Sequence, residues 1–405
     1  MLLRLNSACQ NGPGGTSGER LVLALCERSY RRQQRSARNN NDAENLVFHE
    51  TGCFGRFRLL LYDAHSGAKE KVVINRKLLV AVLVLVLGGV RMAIAEVGDI
   101  KLATAHGIGY LPLIVMEHHK LFEKHARAAG LGDVKLTRAT IGLGTAIQDA
   151  LLSGSVHFAS GGVPPFVTQW SRTIGNLDIK AAGALSSMPQ FLNTRNPNVK
   201  TIRDFSEKDR IALAGVKSSI HAITLQMAAE QVFGAGNQFK LDALTVAFSH
   251  PDGMAALLSG TEITSHFTSP PFQYQELERP GIRTVLNSYD VLGGPATFLM
   301  VWTSGKFVEA NPRTYAAFVA ALDEAMKFIN GNKRAAIEAY LAVTKEKSTV
   351  EDLLKIANDP QNIYTLTPQN TMKYVDFMHK VGTIKVKPAS WKEMFFPNVH
   401  NLPGS

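Results

Sequence analysis

The stretch Ile100-Lys101-Leu102-Ala103-Thr104-Ala105-His106-Gly107-Ile108-Gly109-Tyr110-Leu111-Pro112 decides the fold. Its first six residues are mostly apolar and of strand length. A loop of small residues follows, and a helical period opens directly behind it. Pro112 falls in the first turn, where a missing N–H costs nothing. One strand feeding one helix, residues 100–105 and 111–129, is the unit that the rest of the chain repeats. Further strands are expected at 134–137, 156–159 and 179–185, with helices at 145–152 and 164–171 between them. A second series places strands at 210–214, 244–248, 263–267 and 282–286 and helices at 220–233 and 251–258. The strand at 296–302 is the last expected, and helical periods at 312–329, 333–343, 349–357 and 368–381 form a tail. Such alternation calls for α/β layers around largely parallel sheets, and two series call for two doubly wound lobes.

Small-residue loops recur where the strands end: Ile141-Gly142-Leu143-Gly144, Ser160-Gly161-Gly162 and Gly215-Val216-Lys217-Ser218-Ser219. Open parallel sheets bind ligands outside the carboxyl ends of their strands, and a pocket between two facing lobes suits a small molecule. The candidate binding residues follow from that placement. Ser218 and Ser219 precede a helix start, where hydroxyls and free N–H groups meet the positive end of the helix dipole. The plainer reading of both is an N-cap. His221 lies in the first turn of the same helix and either donates to a ligand or faces water. Tyr110 either floors a pocket or packs within its own lobe. Gly144 and Thr145 open a helix, and Thr145 is a binding residue or a cap. Gly161 and Gly162 let the backbone approach a ligand closely. Thr268 ends a strand of the second lobe with its hydroxyl toward the cleft.

Charge and cysteine content divide the chain. Of 44 Lys+Arg and 34 Asp+Glu, residues 1–95 hold 14 and 7, leaving 30 against 27 for residues 96–405. The formal charge of +10 is therefore concentrated in the first quarter, and the remainder makes no electrostatic case for nucleic acid. Cys9, Cys26 and Cys53 are the only cysteines, so residues 96–405 carry neither a disulfide framework nor a thiolate metal site. Asn75-Arg76-Lys77, a 13-residue apolar run from Leu78 to Val90, and Ala93-Ile94-Ala95 have the three-part order of a cleavable signal peptide. That run is shorter than the roughly 20 residues of a spanning helix, so stable membrane insertion is not expected. Residues 1–74 read as spurious upstream translation, the rival being a disordered basic arm, and residues 75–95 as the signal peptide.

Enzymatic signatures are weak. Gly107-x-Gly109 and Gly142-x-Gly144 start like a dinucleotide fingerprint, but Pro112 and Ile147 stand at the third-glycine position. No P-loop, HExxH or GxSxG motif occurs in residues 96–405. His118 and His125 are seven residues apart on one expected helix, about 10 Å along its axis and too far to share a metal. No cofactor, metal ligand or catalytic residue is expected.

Several pieces also match a known family. Gly109-Tyr110-Leu111-Pro112 resembles its aromatic-proline step after the first strand. Residues 150–158 resemble its "aLlsGevDf" turn, with His157 replacing the usual aspartate. Residues 201–213 resemble "tlkDLkGkkIAv", with Ser206-Glu207-Lys208 where the turn glycine usually stands. Ser218-Ser219 match its small-residue helix start, and residues 255–260 its second "aAl.sG" turn. In this order, over some 200 residues, they make residues 100–311 similar to the periplasmic solute-binding proteins of the sulfonate/nitrate/taurine class of ABC transporter, related to pyrimidine-precursor binding proteins. The resemblance implies a type 2 periplasmic-binding-protein fold with a hinge near 186–191 and 293–297. Lobe 1 would comprise 96–188 and 295–405, and lobe 2 residues 189–294. It implies a monomeric "Venus flytrap" receptor in the periplasm that hands a small molecule to an ABC permease and ATPase; the helix starts favour an anion, such as a sulfonate, nitrate, a taurine-like molecule or a carboxylate, with an aromatic or neutral heterocycle as the rival solute. The alternative is a secreted enzyme of pyrimidine-precursor metabolism on the same fold, with His106, His221 and His266 as its candidate reactive groups. Mass spectrometry of the mature protein is expected to find Glu96 at the N-terminus and no peptide from residues 1–70.

Overall fold

The computed structural model describes residues 96–405; the extension and leader expected at 1–95 lie outside the described residues. The chain opens with β1 (Asp99–Thr104), α1 (Leu111–His118), α2 (Leu121–Ala128), β2 (Lys135–Thr140), α3 (Gly144–Leu152), β3 (Phe158–Gly162), α4 (Val163–Thr173) and β4 (Ile179–Ser187). It continues through β5 (Phe191–Thr194), β6 (Ile211–Leu213), α5 (Ile220–Phe233), β7 (Thr245–Ala247), α6 (His250–Ser259), β8 (Ser265–Thr268), α7 (Phe272–Leu277), β9 (Arg283–Asn287) and α8 (Ser288–Leu292). The last part comprises β10 (Thr297–Ser304), α9 (Gly305–Ala310), α10 (Pro312–Gly331), α11 (Lys333–Thr344), α12 (Val350–Asn358), β11 (Ile363–Tyr364) and α13 (Thr371–Lys380).

Two sheets result, in the order β11-β4-β10-β3-β1-β2 and β7-β6-β8-β5-β9. We call the layers around them lobe 1 and lobe 2. In each sheet one interior strand runs backwards. β10 is antiparallel to both β3 and β4, and β5 to both β8 and β9. The cause is topological. β4 carries the chain to the carboxyl edge of sheet 1, so β5 must enter sheet 2 from that same edge and run away from it. β10 repeats the geometry on the return. At the second crossing Gly293 and Gly294 take φ of 69° and 130°, left-handed backbone that a side chain disfavours.

Lobe 1 holds the larger core. Ile100 and Leu102 of β1, Phe158 of β3 and Val301 and Trp302 of β10 are buried beneath α1, α4 and α10. Phe158 stacks on Phe318 with ring centroids 3.9 Å apart. Trp302 Nε1 donates to Gln169 Oε1 at 2.7 Å, giving the buried indole N–H its partner. Lobe 2 closes a smaller core of Leu192, Ile211, Leu213, Leu225 and Phe267. Among the described residues no helix is long and apolar enough to cross a membrane.

The structure departs from the sequence expectations at identifiable points. The single helix expected at 111–129 breaks at Lys120, which has φ 52°. The break re-registers the chain so that Leu121 and Phe122 turn inward to the core. Gly161 and Gly162, expected in a loop, lie in β3. Strands β5 and β11 were not expected. Replacing Gln169 by Leu should orphan the Trp302 indole N–H and cost about 1–3 kcal/mol, read as a lowered unfolding midpoint with unchanged far-UV circular dichroism.

Candidate functional site

The carboxyl ends of β1, β2 and β3 in lobe 1 face those of β6, β7 and β8 in lobe 2, and the loops they feed meet between the sheets. Ile108 N–H donates to the Pro270 carbonyl at 3.3 Å, joining the loop after β1 to the loop after β8. Gly107 permits that approach: it has φ 124°, and a Cβ there would stand 3.1 Å from the same carbonyl. Gly162 packs against Ile220 at the start of α5, where a Cβ would meet Ile220 Cβ at 2.8 Å. At the mouth, a cleft of about 520 Å³ is bounded by Ile141, Gly142, Leu143 and Ala146 from lobe 1 and by Ala247, Phe248, Ser249 and Asp252 from lobe 2.

Deeper between the lobes lies a cluster of imidazoles. His221 is 2% exposed, and neither ring nitrogen has a partner. Its ring is 5.0 Å from His250, 5.2 Å from Phe267 and 6.3 Å from Phe298 of lobe 1. Thr268 Oγ1 and His250 Nδ1 are bonded at 2.8 Å. The His250 ring is 5.7 Å from His266 and stacks on Phe272 at 5.8 Å. Behind them His266 Nδ1 donates to Glu276 Oε1 at 2.6 Å, both side chains fully buried, and Asn193 Nδ2 donates to the other carboxylate oxygen at 2.9 Å. His266 Nε2 and the buried Ser269 Oγ remain unpartnered. Burial, reinforced by repulsion from His266, pushes the His221 imidazole down to about 3. His250 is held well below its ordinary range by burial and then by His221, His266 and His106. Both are neutral near pH 7, and a neutral imidazole both donates and accepts hydrogen bonds. Among the described residues no group of three or more His, Cys, Asp or Glu is placed to hold a metal ion.

The structure distributes the expected site residues unevenly. His221 and Thr268 fall within one cluster, linked through His250. Ser219 is the N-cap of α5, its Oγ accepting from Ala222 N–H at 3.2 Å, while Ser218 Oγ donates back to the Val216 carbonyl at 3.3 Å. The capping reading therefore accounts for the Ser219 hydroxyl, whereas that of Ser218 is taken up by the preceding turn. Tyr110 is 4% exposed and belongs to the lobe 1 core, with burial raising its phenol. Gly161 lies against Trp302 of its own sheet, at 3.2 Å from a would-be Cβ. Gly162 is covered by Ile220. Gly144 and Thr145 begin α3 beside the mouth; Thr145 is exposed and does not cap, since the N-cap position is Leu143. Sequence reasoning did not select His250 or Glu276, whereas Ser269 lies in the 268–272 segment whose hydroxyls are expected toward the cleft. Pro251 in the first turn of α6 was the available sign that His250 begins that helix.

These features define a class: two α/β lobes, joined by reversed strands, close on polar groups at their facing edges. That is the periplasmic-binding-protein fold, and solved structures share it. The alkanesulfonate-binding protein SsuA of Xanthomonas axonopodis pv. citri, bound to MOPS, superposes with a TM-score of 0.56 at 17% identity, over 72% of this chain and 95% of that one. The periplasmic nitrate-binding protein NrtA of Synechocystis PCC 6803 gives 0.56 at 16% identity, over 74% and 84%. A Candida albicans gene product described as having the generic periplasmic binding protein fold gives 0.56 at 14% identity, over 74% and 96%. At these identities the likeness is one of fold. The sequence pattern of the NMT1-like family matches residues 93–343, and the chain belongs to that family. No curated protein matches the sequence.

The buried imidazole gives a pH dependence of known sign. Its value in the shut lobes lies below the ordinary 6.5, so its contribution to stability is complete above about pH 6.5 and is lost as pH falls toward about 3. His221→Leu should therefore lose less stability than the parent on acidification, by up to about 1.4 kcal/mol per pH unit, measured as unfolding midpoints in denaturant between about pH 7 and 4. Equal losses in both proteins would mean that the imidazole reaches water before the chain unfolds.

Proposed function

We propose that this chain is an extracytoplasmic solute-binding receptor, exported by the leader at 75–95, which closes on a small anion and delivers it to an ABC permease and its ATPase. A sulfonate, nitrate, a taurine-like molecule or a carboxylate is the class of solute we infer. The observation that carries this reading is the set of buried, unpartnered polar atoms between the lobes: His221 Nδ1 and Nε2 and Ser269 Oγ. Leaving such groups without partners costs on the order of 1–3 kcal/mol each, which a solute offering hydrogen bonds would offset. The membership of the NMT1-like family and the likeness to sulfonate- and nitrate-binding proteins support the same reading.

In this mechanism lobe 1 (96–188 and 295–405) and lobe 2 (189–294) turn about the two crossings. Solute contacts made by both lobes favour the shut form, which the permease recognises. Of the residues expected from sequence, we propose His221, Thr268 and the Ser218-Ser219 helix start as contacts from lobe 2. Gly162 and the loop at Tyr110 would limit approach from lobe 1, and Gly144 and Thr145 would flank the entrance. The secreted enzyme is the lesser reading, because His266, the imidazole that Glu276 could activate, is fully buried with its Nε2 against Gly253.

Thermal unfolding of the full chain against sulfonates, nitrate, aromatic carboxylates and pyrimidines tests the receptor. One solute class should raise the midpoint, since a ligand at about 100 times its Kd adds about 2.7 kcal/mol, and it should be recovered chemically unchanged. Consumption of the solute would favour the enzyme, and no shift with any solute would count against the receptor.

A further inference from the structure

The interlobe cluster raises an electrostatic question that the receptor reading leaves open. An anion drawn out of water between two closed lobes needs a compensating positive charge or several strong donors. Among the described residues, no lysine or arginine is buried. The cations nearest to these loops lie outside the cluster. Lys217, on the exposed turn before α5, faces Asp242. Arg138 of β2 is held by Glu117 at 2.5 Å and by the hydroxyls of Thr104 and Thr140.

The groups that can acquire positive charge between the lobes are the imidazoles. His221 on α5 faces His250 from α6 and His266 from β8, and the remaining rings against it, Phe267 and Phe298, are apolar. His250 in turn faces His221, His266, the Thr268 hydroxyl, Phe272 from α7 and His106 from the loop after β1. The carboxylate behind them, Glu276, is bonded to His266 and Asn193. Asp252, on the first turn of α6, accepts from the Ser249 hydroxyl at 2.5 Å. No carboxylate bonds His221 or His250 directly, and both nitrogens of His221 are buried without a hydrogen-bond partner.

We propose that this site takes an anionic solute and a proton together, the proton settling on the His221–His250 imidazole pair and supplying the positive charge that no buried lysine or arginine provides. The inference rests on the receptor reading above and specifies how its site is regulated. The proton comes from solvent and goes to a ring nitrogen, and no covalent bond of the solute changes. Burial and mutual repulsion oppose charging either ring in the shut lobes; a bound anion reverses the balance because an opposite charge within about 4–6 Å favours the charged form. By linkage, binding is strongest below the pair's value in the free protein and weakens as pH rises from there to the pair's value in the complex.

Isothermal titration of the full chain with ethanesulfonate and with nitrate tests this. Both are anions of strong acids that keep one charge throughout, so any pH slope belongs to the protein. Titrations from about pH 6 to 8.5, each in two buffers of different ionisation enthalpy, should show about one proton taken up per anion, and affinity falling about tenfold per pH unit along the slope. His221→Gln and His250→Gln, made separately, should flatten that slope. The proton count on the parent protein needs no variant and stands even if one of them fails to fold. Anion binding with no proton uptake and flat affinity overturns the proposal and leaves the receptor standing. So does binding of an uncharged heterocycle, with uracil as the probe, when neither anion binds. Binding of no solute at all overturns both.

Discussion

The chain crosses between its two sheets twice, and both crossings must occur at the carboxyl edge of a largely parallel sheet. That constraint organises everything else. β4 ends where the loops of lobe 1 are, so β5 begins there and runs backwards through sheet 2, and β10 does the same through sheet 1. The loops that follow β1, β2 and β3 are thereby brought opposite those that follow β6, β7 and β8 with no further device. The small residues in these loops serve that apposition. Gly107 and Gly162 receive the Pro270 carbonyl and the Ile220 side chain, so they bring protein, rather than ligand, close to backbone.

Facing loops make a cleft, but its chemistry comes from the second lobe. Three histidines and a carboxylate gather around the end of β8 because that strand alternates His266 and Thr268 on one face with Phe267 on the other. α6 sets His250 over the first pair, and α5 sets His221 beside Phe267. The low dielectric that keeps two of these rings neutral also gives each unpartnered nitrogen a large unfavourable energy. The same burial thus makes the His221–His250 pair polar in content and uncharged near pH 7.

Elements with strong local signals were legible in the sequence. The helix at 220–233 was read at its observed limits because Ser219 caps its start and Gly234, at φ 93°, ends it. β5 was not legible. Phe191-Leu192-Asn193-Thr194 shows no alternation of its own and becomes a strand because β8 and β9 stand ready on either side. β11 has two residues, below any periodicity. The break at Lys120 involves neither glycine nor proline and answers to the burial of Leu121 and Phe122. Of the site, the helix starts and loops could be located, but pairing among side chains could not. Glu276 and His266 are ten residues apart across a turn, and only the packing of α7 on β8 brings them to 2.6 Å. The Ser219 hydroxyl was satisfied by its own helix and that of Ser218 by the turn before it, a local competition that composition does not reveal.

The C-terminal segment carries a mechanical consequence. β11 pairs with Ser186 and Ser187 at the point where the chain leaves lobe 1. Around it the tail grips lobe 2: Ser348 accepts from Gln275 Nε2 at 2.8 Å, the Gln361 carbonyl from the Tyr289 hydroxyl at 3.1 Å, Tyr374 meets Thr224 at 3.1 Å, and Lys380 pairs with Glu230. All four lie beyond residue 343, where the match to the family pattern ends. These ties join the tail to lobe 2 independently of the two chain crossings. Any turning of one lobe against the other would therefore work against this strap as well as against the two crossings.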